Sequence, residues 1–110
     1  MIKGRSCKNP PYRTMTDGKW ESLGQTITIK KALDLWWNSI RVRTPNGMES
    51  RVFTIYKCYD GDYDIVNMAD WLEIDENDLL KCKITLDEGY DEDSDGYPIV
   101  FATLQWGREQ

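Results

Sequence analysis

At 110 residues the chain fits one small domain, because surface-to-volume scaling lets a chain of this size bury a single modest core. A hydrophobic fraction of 40%, with five Trp and six Tyr, excludes a chain disordered throughout, and no apolar run approaches the roughly 18 residues that span a bilayer. The net charge of −5 conceals a split: residues 1–57 hold eleven Lys and Arg against four acids, a net +7, and residues 58–110 hold three against fifteen, a net −12.

The chain has no His, which removes the commonest general base and the triads built on it. Cys7, Cys58 and Cys82 are widely spaced, so neither a Cys/His zinc site nor a disulfide framework is predicted, and all three are expected as reduced thiols. No phosphate-cradling glycine loop, nucleophile elbow or carboxylate nuclease pattern is present, so no enzyme and no cofactor are predicted. The N-terminus, MIKGRSCKNPP, lacks the apolar centre of a secretory signal, which predicts a cytoplasmic protein.

Residues 1–24 carry Pro10, Pro11, Gly4, Gly18 and Gly24 without apolar periodicity, and are expected as an irregular basic arm whose Tyr12 and Trp20 tuck onto a domain formed by residues 25–110. A helix follows. Thr28 stands at its N-cap, and Ile29, Ala32, Leu33, Trp36, Trp37 and Ile40 recur at the spacing of one buried face. Next, RVR alternates, TPNG offers turn chemistry, and SRVFTIYKCY is rich in β-branched and aromatic residues, which together predict a hairpin over residues 40–59. Arg41, Arg43 and Arg51 decorate this hairpin, and with Phe53, Tyr56 and Tyr59 nearby they offer a surface on which single-stranded bases stack.

In residues 65–84, IVNMADWLEIDENDLLKCKI, the apolar positions Met68, Ala69, Leu72, Ile74, Leu79 and Cys82 predict two helices, 65–72 and 76–83. The segment resembles the helix-turn-helix of phage and bacterial repressors, with Ala69 as the small residue of the first helix. Glu73 departs from that pattern, which favours Gly for a left-handed turn. CKITL and YPIVFATLQW then predict two strands joined by an acidic tip. The fold class expected is therefore α+β: an amphipathic helix, a hairpin, a helix-turn-helix-like pair and a C-terminal hairpin. The resemblance implies a winged-helix-like arrangement of these parts.

Charge argues against a groove-reading role for that pair. From Asp60 to Leu80 there are eight acids and no Lys or Arg, and the tip packs six carboxylates into residues 87–95. Phosphates repel such a face. Within the tip, Asp91, Asp93, Asp95 and Gly96 match the first positions of a calcium loop. The twelfth position, however, is Ala102 in place of a bidentate Glu, and strands flank the stretch where helices are needed, so no metal site is predicted.

The expected function is that of a small acidic, non-enzymatic interaction or inhibitor protein whose carboxylates imitate a nucleic-acid backbone. In composition it resembles the phage proteins that inhibit restriction, CRISPR effectors, repair enzymes or RNA polymerase. The partner expected is a basic protein, a nucleic-acid-handling enzyme, with no membrane involved. The candidate contact residues are Asp60, Asp62, Asp64, Asp70, Glu73, Asp75, Glu76, Asp78, Asp91, Glu92, Asp93 and Asp95, with Tyr63 and Tyr90 among the exposed aromatics Tyr59, Tyr63, Tyr90 and Tyr97 as desolvated anchors. Two alternatives stay open: a nucleic-acid-binding protein that uses the basic N-terminal half, and a virion or assembly component whose opposite poles form homo-oligomers.

Overall fold

The computed structural model describes residues 19–36, 40–58 and 60–106. The expectations placed on residues 1–18, Trp37 and Tyr59 lie outside the described residues. After a single 3-10 turn at Trp20–Ser22 the elements run β1 (Thr26–Thr28), α1 (Ile29–Trp36), β2 (Ile40–Arg43), β3 (Val52–Lys57), β4 (Tyr63–Asp64), α2 (Val66–Leu72), α3 (Glu76–Lys81), β5 (Lys83–Glu92) and β6 (Pro98–Gln105). They form a small α+β domain with one mixed sheet ordered β1-β5-β6-β2-β3-β4.

Local chemistry explains most of the boundaries. The Thr28 hydroxyl accepts the Lys31 N–H at 3.1 Å and caps α1, whose Ile29, Ala32, Leu33 and Trp36 are all buried. Ile40, which the helical spacing also placed on that face, instead opens β2 and is fully buried in the sheet. Alternation does the rest, since period-2 residues share a face. Ile40, Val42, Phe53, Ile55, Ile84, Leu86, Val100, Ala102 and Leu104 enter one core with the helices, together with Ile65, Met68, Ala69 and Leu79. The opposite face carries Arg41, Arg43, Thr54, Thr85, Phe101 and Thr103, and none of these is buried.

Three differences from the sequence reading have physical causes. The C-terminal hairpin is no projecting wing: β6 pairs with β2 in parallel, Ile40 opposite Val100, so the hairpin is built into the middle of the sheet. Buried residues alternate along both its strands, Ile84 and Leu86 in β5 and Val100, Ala102 and Leu104 in β6, and such strands gain more by burial in a sheet than by standing free. Second, β5 runs on through Glu92, so most of the acidic stretch is strand and only Asp93–Gly96 turn. A register shift between Leu86 and Tyr90 absorbs Gly89 and its neighbours. Third, Cys58 is buried in a disulfide, whereas Cys82 is a free thiol, so the expectation of reduced thiols is corrected at Cys58.

Residues 19–24 pack onto the domain. The Trp20 ring stands edge-on to Trp36 at 5.2 Å and tilts against Tyr90 at 5.2 Å, and the Trp36 indole N–H donates to the buried Ser22 hydroxyl at 2.9 Å. Lys19 is buried with its ammonium 4.8 Å from the centre of the Trp36 ring.

Candidate interaction surface

The strand directions place two acidic turns at one end of the sheet. β3 ends where β2 and β6 begin, so the β3–β4 turn with Asp60 and Asp62 and the β5–β6 turn with Asp93 and Asp95 share that end. Three strand spacings separate them, about 14 Å. Both turns use an aspartate internally. Asp60 accepts the Asp62 N–H at 3.0 Å, and Asp93 accepts the N–H groups of Asp95 at 2.8 Å and Tyr97 at 3.0 Å. Asp91 and Glu92, at the end of β5, are exposed beside the second turn. Asp93 is half-buried and tied to its own backbone. Among the described residues no three carboxylate or thiol side chains converge on a metal position.

The helix-turn-helix-like segment holds the other acids. Glu73 sits in the left-handed region, φ 62° and ψ 44°, and its N–H reaches back to the carbonyls of Ala69 and Asp70. The motif's turn therefore forms at the position that favours Gly, with Glu in it. Asp75 caps α3 by accepting the Asn77 N–H at 2.9 Å, which places Glu76 and Asp78 in the first turn, where the helix dipole favours carboxylates. Asp70, Glu73, Asp75, Glu76 and Asp78 are all exposed. They lie away from the acidic turns: Trp71 packs on Phe53 near the start of β3, and α3 feeds β5 at Lys83, opposite Gln105 at the end of β6. The acids thus form two surfaces, one at the turn end of the sheet and one on α2 and α3.

Few of these charges meet a cation in an ion pair among the described residues. The described ion pairs are Lys30–Asp34 at 3.4 Å, Lys57–Asp34 at 2.9 Å and Arg43–Asp87, and only the last joins the basic half to an acid of the acidic half. Asp34 is the best-connected carboxylate: it also accepts the Tyr63 hydroxyl at 2.7 Å. Burial works to raise its pKa, but Lys57, Tyr63 and Lys30 outweigh it and hold the carboxyl below its ordinary value. Burial and the same hydrogen bond raise the Tyr63 hydroxyl, and the hydrogen bond and charge of Asp34 raise Lys30.

Tyr63 is consequently an internal strut between β4 and α1, corrected from the exposed anchor the sequence suggested. Tyr97 is half-buried. Tyr90 is 42% exposed on the Trp20 ring and is the expected anchor that the fold leaves open. Asp64 is half-buried in β4.

The arginines divide. Arg41 and Arg43 lie over the Phe101 ring on the open sheet face, at 5.8 and 5.9 Å from its centre. Arg43 is held further by Asp87 and by the Thr103 hydroxyl at 2.7 Å. Arg51 lies over Trp71 at 5.5 Å. Phe53, proposed from sequence as a stacking ring, is buried and faces the helices. Phe101 is the aromatic that meets Arg41 and Arg43, and its apolar run in β6 hid that role.

Sequence reasoning also missed the Asp34 centre. The i,i+4 spacing of Lys30 and Asp34 was readable as a helix pair, but the approach of Lys57 and Tyr63 depends on strand packing. Comparison with protein-family models, with curated proteins and with solved structures finds no match for this chain.

Proposed function

We propose that the protein is a small non-enzymatic interaction protein that occupies a basic nucleic-acid-binding site on a partner protein, in the manner of the inhibitors that phages and mobile elements encode. The observation that carries this reading is the unneutralised acid surface. Asp60, Asp62, Asp70, Glu73, Asp75, Glu76, Asp78, Asp91, Glu92 and Asp95 are exposed and enter no described ion pair. Folding therefore leaves the acidic half as an acidic exterior, available to Lys and Arg of a partner. The α2–α3 surface and the turn end are two contact regions on one small domain. Tyr90 supplies an aromatic anchor that charge alone lacks.

The proposal locates the protein in the cytoplasm of a host cell, where nucleic-acid enzymes work. Among the described residues no helix is long and apolar enough to cross a membrane. A reducing cytoplasm would open the disulfide at Cys58, and thiol counting on protein recovered from cells tests that.

The functional test is a pull-down from host lysate at low and moderate salt, beside a mobility-shift assay on DNA and RNA. The expected outcome is a salt-sensitive basic nucleic-acid protein on the beads and no direct nucleic-acid binding. Ala replacement of Asp75, Glu76 and Asp78 together with Asp91, Glu92 and Asp95 should release it, and full retention would sink the reading.

A second reading has one observation in its favour: Arg41 sits on the open sheet face over Phe101, without a described carboxylate partner. Direct binding of single-stranded nucleic acid that falls with salt and with Arg41→Ala would move the function to this face.

A further inference from the structure

Among the described residues, strand β3 is open along two-thirds of its outer edge. β4 pairs only with Tyr56 and Lys57, so no described strand covers Val52 to Ile55 on that side. The Thr44 N–H donates to the Arg51 carbonyl at 3.0 Å, which makes Thr44–Arg51 a hydrogen-bonded pair of the β2–β3 hairpin. Such pairs alternate. Phe53 and Ile55 therefore bond toward β2, while the N–H and C=O groups of Val52 and Thr54 point outward. Both residues are exposed, Val52 at 57%. A run of unpaired strand groups is a template for another strand.

Beside this edge lies a hollow of about 450 Å³ between β3 and α2, lined by Arg51, Val52, Phe53, Asn67, Asp70 and Trp71. The rings of Phe53 and Trp71, 5.6 Å apart, form its apolar wall, and the Arg51 guanidinium lies across Trp71. An open edge with an adjoining hollow supplies both parts of strand-addition recognition: backbone hydrogen bonds for affinity and a seat for alternate side chains.

We propose that this edge receives an extended basic segment of the partner protein, which adds as a strand beside Val52 and Thr54 and seats one apolar side chain against Phe53 and Trp71. The inference rests on the reading that the partner is basic, and it names the contact. Charge selects the occupant. Asp70 lines the hollow and belongs to the acidic surface of α2 and α3 beside it. Among the described residues lining the hollow Arg51 is the only cation, and it is stacked on Trp71.

The test uses the intact chain and a random dodecapeptide display library. Enriched peptides should alternate Lys or Arg with apolar residues and shift the Val52 and Thr54 amide resonances. Those two amides should exchange rapidly with solvent in the free protein and slowly with peptide bound, while Phe53 and Ile55 are protected throughout. Val52→Pro removes one outward N–H without touching the β2 ladder, and should weaken an enriched peptide by about tenfold or more, as should Asp70→Lys. Thr54→Val keeps the backbone donor and should bind normally.

No enrichment, protection of Val52 and Thr54 in the free protein, or enriched peptides indifferent to Val52→Pro each overturn the proposal. So does a dimer in sedimentation that Val52→Pro turns to monomer, because the edge would then serve a second copy of this chain. If the whole partner binds Val52→Pro normally but is released by the acidic substitutions, the strand addition fails and the acidic-surface reading stands.

Discussion

Replacing Glu73 by Gly should stabilise the protein, because the turn between α2 and α3 holds a side chain in a conformation that L residues avoid. Glu73 is the one described non-glycine residue with positive φ, at 62°. A left-handed conformation costs a residue with Cβ roughly 1–2 kcal/mol, while the greater unfolded-state freedom of Gly returns about 0.5–1 kcal/mol. Glu73 is exposed, so its side chain contributes little packing to lose. The backbone bonds of the cap, from Glu73 N–H to Asp70 at 3.1 Å and from Ile74 N–H to Ala69 at 3.1 Å, survive the change. The net gain expected is about 0.5–1 kcal/mol, or roughly 2–6 °C in Tm for a domain of this size. Urea melts of wild type, Glu73→Gly, Glu73→Asn and Glu73→Gln give the answer. Gln keeps the conformational cost and removes the charge, so it isolates the electrostatic part. The reasoning is refuted if Gly lowers the midpoint, or if Gln gains as much as Gly, since the effect would then be relief of acidic repulsion.

Asp34→Asn should cost about 1–2 kcal/mol, since its carboxylate, partly screened by solvent, accepts three hydrogen bonds, two of which tie α1 to β3 and β4. The folded-state pKa of Asp34 is depressed, so its contribution is present above the ordinary carboxyl value and is lost as pH falls below it. The gap between wild type and Asp34→Asn in urea should therefore narrow as pH drops through the acid range, and a constant gap would refute the assignment. Ser22→Ala leaves the buried Trp36 indole N–H without its acceptor and should cost about 1–3 kcal/mol, read by the denaturation midpoint; an unchanged midpoint would mean water replaces the hydroxyl. Burial and the nearby Asp78 hold the Cys82 thiol above its ordinary pKa, so alkylation at neutral pH should be slower than that of a free thiol and should accelerate only at more alkaline pH.

The sequence by itself determined the local pieces. The spacing of Ile29, Ala32, Leu33 and Trp36 marked α1, Thr28 marked its start, and the apolar pattern through Met68, Leu72 and Leu79 marked α2 and α3, with a turn where the chain holds Glu73. Each of these depends on neighbours three or four residues away, which a sequence displays. The two-residue β4 and three-residue β1 left no period to read, because strands so short exist only as partners of β3 and β5. The division of the acids was legible as composition, but not as two surfaces, since which carboxylates stand together depends on strand direction. Tertiary structure alone decided the parallel pairing of β6 with β2, and it draws together residues some sixty positions apart, such as Ile40 and Val100. The same long-range pairing seats Arg43 against Asp87, and strand packing brings Tyr63 and Lys57 to Asp34. Among the described strands it also leaves the Val52–Thr54 edge uncovered, because β4 stops after two residues and α2 departs from the sheet. Side-chain period records which face of a strand is buried, but not which neighbour, if any, takes its outward hydrogen bonds.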